Sequence, residues 1–126
     1  FGPLRLGSSP TQLLQAAGQP SRRVDRSFRW CSSLRKAKGA RRPGVAVVFD
    51  QQGQAAFIAT TAGGKGKPKR ARKLGRGLFV VRKGKGGDRI WGYRKGKLRF
   101  RAVAAPGIAA KPGRALAAFR ASGLGK

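Results

Sequence analysis

The stretch "VAVVFDQQGQAAFIATT" (45–61) sets two apolar runs against each other across Asp50-Gln51-Gln52-Gly53. Each run is too short for a stable helix, and the pair is joined by a four-residue turn ending in glycine, so the segment predicts a β-hairpin. The pattern recurs downstream. "GLFVVRKGKGGDRIWGYRKGKLRFRAVAA" reads as three strands near 78–82, 88–94 and 97–104, joined by the turns "KGKGG" and "KGK". In the last of these, Leu98, Phe100, Ala102 and Ala104 alternate with Arg99 and Arg101, which predicts a one-sided sheet with a cationic outer face. Upstream, "SFRWCSS" predicts a further strand with Phe28 and Trp30 on one face.

Two helices complete the reading. In "GSSPTQLLQAAGQP", Ser9 is placed as N-cap, Pro10 at the first helical position and Gln12 three residues after the cap, while Gly18 and Pro20 stop the helix. This predicts a helix over about 10–17. "PGRALAAFRASGLGK" predicts a second, near 113–121, with Leu116, Phe119 and Ala115 inward. The expected fold class is therefore α+β: an antiparallel β-sheet of about six strands in two three-stranded halves, with a short helix near each end. A chain of 126 residues is expected to be a single compact domain, with one half at 4–60, a basic connector at 63–77 and a second half at 78–122.

Charge decides what such a sheet can do. The chain has 30 Lys and Arg against three acids, Asp25, Asp50 and Asp88, and a formal net charge of +27. Residues 1–60 carry ten bases and residues 61–126 carry twenty, so the field is strongest over the second half. A small soluble domain ordinarily carries a net charge of magnitude about 2–8. This excess repels itself in a compact chain and is relieved when a polyanion supplies the missing negative charge.

Catalysis is not expected. There is no His and no Glu, the three Asp stand singly, and the lone Cys31 and the serines lack a His to activate them. The same inventory predicts no metal site and no cofactor. No run of 18 apolar residues is present to span a membrane. The sequence starts at Phe1 and not at Met, from which a mature chain cleaved from a precursor and secreted is expected, with a cytoplasmic chain as the alternative.

The binding candidates are basic clusters. "GGKGKPKRARKLGRG" (63–77) supplies Lys65, Lys67, Lys69, Arg70, Arg72, Lys73 and Arg76. Glycines there leave backbone N–H groups open to phosphate oxygens, and Arg forks onto phosphate bidentately. "LRKAKGARRP" adds Arg35, Lys36, Lys38, Arg41 and Arg42. The turns add Arg82, Lys83 and Lys85, and Arg94, Lys95 and Lys97, expected to form one cationic rim if the strands pair in sequence, with Arg99 and Arg101 extending it across the exposed face. Trp91 and Tyr93 share a face; if that face is the outer one they stack bases, and if it is the inner one they are core.

A resemblance covers the first half. Leu4-Arg5-Leu6-Gly7 opening a helix, Gly18-Gln19-Pro20 closing it, the aromatic strand Phe28 to Trp30 and the hairpin Val45 to Ile58 together resemble the small α/β repeat of the β-lactamase inhibitor proteins and of the small lipoprotein of the outer-membrane barrel-assembly machine. The second half is similar to the tail of secreted actinobacterial proteins with this repeat. The resemblance implies that fold and an exported protein.

These readings lead to a non-catalytic, exported structural protein that binds a polyanion, DNA first, through phosphate contacts with little sequence specificity, as a homo-oligomer, coat or filament subunit. Two alternatives stand beside it: an intracellular ribosomal or nucleoid-type nucleic-acid-binding protein, and a module for an acidic protein or anionic cell-wall polymer.

Overall fold

The capping box forms as its residues require. In the computed structural model, which describes residues 5–18, 20, 22–24, 27–31, 44–61, 66–82 and 87–122, the Ser9 hydroxyl accepts from the Gln12 backbone N–H (3.2 Å) and the Gln12 side-chain Oε1 accepts from the Ser9 backbone N–H (2.8 Å). These bonds start helix α1, Pro10–Ala17. Eight described strands follow: β1 Arg22–Val24, β2 Ser27–Cys31, β3 Gly44–Phe49, β4 Ala55–Thr60, β5 Arg72–Gly75, β6 Leu78–Val81, β7 Asp88–Arg94 and β8 Lys97–Ala104. A one-turn helix α2, Pro106–Ala109, and the longer α3, Pro112–Ser122, close the described chain.

All eight strands lie in one sheet, ordered β1-β2-β3-β4-β8-β7-β6-β5, and every neighbouring pair is antiparallel. The α+β class with a mainly antiparallel sheet and short helices is thus the observed architecture. The finer expectation needs correction. Six strands become eight, because β1 and β5 form the two edges, and the two halves are not separate. They fuse where β4 pairs with β8, Phe57 opposite Ala104 and Thr60 opposite Arg101. The expected connector over 63–77 is likewise shorter: Arg72–Gly75 is strand β5, hydrogen-bonded to β6, with Leu74 packed on the core. A helix near 113–121 is observed as α3, and α2 is an addition to the expected elements.

The sheet has a core on each side. On one side, Phe57, Ala59, Leu78, Val80, Ile90, Phe100, Ala102 and Ala104 pack against Ala109 of α2 and Ala115, Ala118 and Phe119 of α3. Buried positions 115, 118, 119 and 122 of α3 recur at helical spacing and form one stripe. The Phe119 ring lies stacked on Phe100, 4.0 Å between centroids; burying such a ring contributes roughly 1.5–3 kcal/mol. On the opposite side, Leu13 of α1 packs with Val47, Phe49, Ala55 and Ile58, and with Leu6, Phe28 and Trp30 at the margin. The Trp30 indole N–H donates to the Gly18 carbonyl (3.1 Å), which ties the end of α1 to β2. Helix α1 therefore covers the β2–β4 half of its side, and the β5–β8 half of that side faces the basic segment.

Turn chemistry follows the sequence at the first hairpin. The Asp50 carboxylate accepts from the N–H groups of Gln52 and Gln54, both at 2.9 Å, so this acid organises a turn. The β5–β6 and β7–β8 hairpins are two-residue loops, Arg76-Gly77 and Lys95-Gly96, with positive φ at all four positions (53°, 79°, 52° and 77°). Such type I′ loops match the twist of the flanking strands. Glycine takes the second position without strain, whereas Arg76 and Lys95 hold a conformation disfavoured for side-chain-bearing residues.

Candidate polyanion interface

Cross-strand register assembles the candidate surface. On the α1 side of the sheet, one continuous row runs Trp30, Val45, Thr60, Arg101, Trp91, Phe79, Lys73 across seven strands. Its first three members belong to the half that α1 caps. The last four, Arg101 of β8, Trp91 of β7, Phe79 of β6 and Lys73 of β5, interleave two aromatic rings with two cations. Their faces are set by their neighbours, since Ala102, Ile90, Val80 and Leu74 all point into the opposite core. The next row on the same side places Arg89 between Val103 and Val81.

Part of the basic segment lies over this surface. The Lys67 N–H donates to the Tyr93 hydroxyl (2.9 Å), and the Lys67 ammonium sits 4.7 Å from the centroid of the Phe79 ring. Phe79 and Tyr93 meet edge to face at 5.6 Å. A turn then follows, with the Ala71 N–H donating to the Pro68 carbonyl (3.0 Å), and it leaves Lys69 and Arg70 exposed. A cation held over a π-face contributes about 0.5–1 kcal/mol at an exposed site. The segment is thus seated on two aromatic rings through Lys67, with Lys69 and Arg70 exposed in the turn that follows.

The sequence-derived candidates fall into distinct places. Lys67, Lys69, Arg70, Lys73 and Arg101 gather on or beside this face, and Trp91 and Tyr93 share it, on the side away from the α2/α3 core. Arg72 lies on β5 opposite Val80 and is exposed. Arg76, Arg94, Lys95 and Lys97 cluster at one end of the sheet, where the β5–β6 and β7–β8 turns lie side by side and the Tyr93 N–H donates to the Gly77 carbonyl (2.8 Å). Arg35, Lys36, Lys38, Arg41, Arg42, Lys65, Lys83 and Lys85 lie outside the described residues.

Two expectations are corrected. The single rim through Arg82 and Arg94–Lys97 does not form, because successive turns of a meander alternate ends; Arg82 and Arg94 flank opposite ends of β7, a strand spanning roughly 20 Å at about 3.4 Å per residue. Arg76 joins Arg94, Lys95 and Lys97 in its place. Arg82 is also engaged: its guanidinium pairs with the buried Asp88 carboxylate at 3.1 Å. Arg99 does not share a face with Arg101. The register passes from Gly92–Phe100 to Tyr93–Leu98, so Arg99 is the extra residue of a bulge, and its guanidinium stands 4.9 Å from the Phe119 ring on the helix side.

Two side chains of the candidate face escape sequence reading. Phe79 carries the Lys67 ammonium, and Arg89 is exposed on the α1 side two residues before Trp91. Period-two alternation from Trp91 locates Arg89; Phe79 needs the β6–β7 register. No group of three or more His, Cys, Asp or Glu side chains able to hold a metal occurs among the described residues, and no helix in them is long and apolar enough to cross a membrane. Comparison with known proteins finds no matching family model, no matching curated protein and no matching solved structure.

Proposed function

We propose that this protein is a non-catalytic binder of a polyanion, DNA first, that grips phosphates with little sequence specificity. The observation that carries this reading is the gathering of Lys67, Lys69, Arg70, Lys73, Arg89 and Arg101 on or beside one face of the β5–β8 half. The acid of that half, Asp88, is already engaged with Arg82. A face whose cations so outnumber its acids attracts negative charge from outside, and a phosphate chain supplies that charge at the matching density. An inventory without His or Glu leaves no acid–base pair for catalysis.

Export and a coat or filament form belong to the same proposal. Export rests on the likeness of Leu4–Ile58 to the exported α/β repeat. A filament would use strand edges such as β5, and +27 per subunit opposes that unless the polyanion lies within it.

The test is a titration of affinity for duplex DNA against NaCl. Between about 50 and 200 mM salt the affinity should fall by about 10³-fold or more, with a linear dependence of log K on log salt. A flat profile overturns the reading.

A further inference from the structure

On top of the polyanion reading, we infer that the β5–β8 face takes the unpaired bases of single-stranded nucleic acid, with Trp91 as its open stacking platform. The starting point is the row Arg101–Trp91–Phe79–Lys73, which spans roughly 14 Å at about 4.8 Å per strand spacing. A single strand presents one flat π-face and one anion per nucleotide, and this row presents rings and cations side by side. A duplex shuts its base faces inside the stack and offers only phosphates, so it makes no use of the rings. An apolar protein surface fails for the converse reason, since it would bury Lys73 and Arg89 against nothing that pairs with them.

The three rings on this face are not equivalent. Phe79 carries the Lys67 ammonium, and the Tyr93 hydroxyl accepts from the Lys67 N–H. Trp91 is half-buried, and among the described residues no ring or cation is stacked on it. The other tryptophan, Trp30, is held by Gly18 under the end of α1. A base therefore meets Trp91, while its flanking phosphates reach Arg101 on one side and Lys73 with the cations of residues 67–70 on the other. Stacking tolerates any base, which agrees with binding that ignores sequence.

The experiment compares three labelled ligands by fluorescence anisotropy at one salt concentration: a single strand of about 12 nucleotides, within the footprint of single-strand binding modules, the duplex of that sequence, and an abasic deoxyribose-phosphate oligomer of equal charge. The single strand should bind more tightly than the abasic oligomer by roughly 5- to 150-fold, the factor that one stacked base supplies. Trp91→Leu should remove most of that advantage while leaving the abasic oligomer and the duplex unchanged, and Trp91→Phe, which keeps a ring, should retain most of it. Equal binding of the single strand and the abasic oligomer overturns the stacking inference and leaves the polyanion reading intact. So does a uniform loss on all three ligands in Trp91→Leu together with full retention of the single-strand advantage. Absence of binding to all three overturns both.

Discussion

The Lys67 backbone N–H donates to the Tyr93 hydroxyl at 2.9 Å, which fastens the basic segment to a residue near the end of β7, 26 residues further along the chain. The same lysine's ammonium lies over Phe79, so the segment is held in two different ways. Tyr93→Phe removes the acceptor and keeps the ring. It should cost about 1 kcal/mol of stability, the usual worth of one such bond, and should speed amide hydrogen exchange at Lys67 with the β7 amides unchanged. Unaltered exchange at Lys67 would show that the hydroxyl does not hold the segment.

Charge on the segment should be separable from the fold. Replacing Lys65, Lys67, Lys69, Arg70, Arg72 and Lys73 together with Gln leaves the buried positions of both cores untouched. The expected outcome is a cooperative thermal transition close to that of the parent. The slope of log K against log salt should fall by up to about 0.9 for each duplex phosphate that is no longer neutralised. Collapse of the fold would show that these cations are structural.

Arg82 should behave unlike the other candidate cations. Its partner Asp88 has a side chain only 4% exposed, and the pair is 3.1 Å apart. Arg82→Ala removes the guanidinium that pairs with this buried carboxylate, a loss expected to cost about 1–3 kcal/mol. Denaturant titration should register that loss, while affinity for DNA falls less than it does for Lys73→Ala. The reverse ranking would place Arg82 in the interface.

At Gly92 the backbone of β7 lies directly against the Phe100 ring of β8. A Cβ built there would overlap the Phe100 ring, which is itself stacked on Phe119. Gly92→Ala is expected to destabilise by more than about 1 kcal/mol, as overpacking a filled core does. Thermal melting checks this, and a neutral result would mean that Phe100 and Phe119 can shift together.

Local signals in the sequence carry the parts of the fold that depend on neighbouring residues. Ser9 and Gln12 sit three apart and cap α1; Asp50 and Gly53 close the β3–β4 turn; Ala115 and Phe119 lie on one stripe of α3. What is not legible depends on partners distant in the chain. Arg72–Gly75 has neither alternation nor length, and becomes a strand because β6 supplies its hydrogen bonds. Arg99 reads as a twin of Arg101 until the bulge against Gly92 and Tyr93 turns it to the helix side. The candidate face is half legible: Lys73, Trp91, Tyr93 and Arg101 stand out in the sequence, but Phe79 and Arg89 enter only once β6, β7 and β8 are in register. The expectation of one rim fails because it follows turn composition without following which end of the sheet each turn occupies.

The pairing of β4 with β8 has a consequence for synthesis. Strand β4, buried at every position from Ala55 to Thr60, is separated from its outer partner by residues 61–96, 36 residues of chain. A ribosome therefore releases an apolar strand with one open edge well before the strand that closes it, and such an edge is a template for other chains. Closing a pairing of that span is also slow compared with forming a local hairpin. Mutual repulsion between chains this basic opposes their meeting edge to edge during the delay. The charge suited to holding a polyanion thus also keeps unfinished copies of the protein apart.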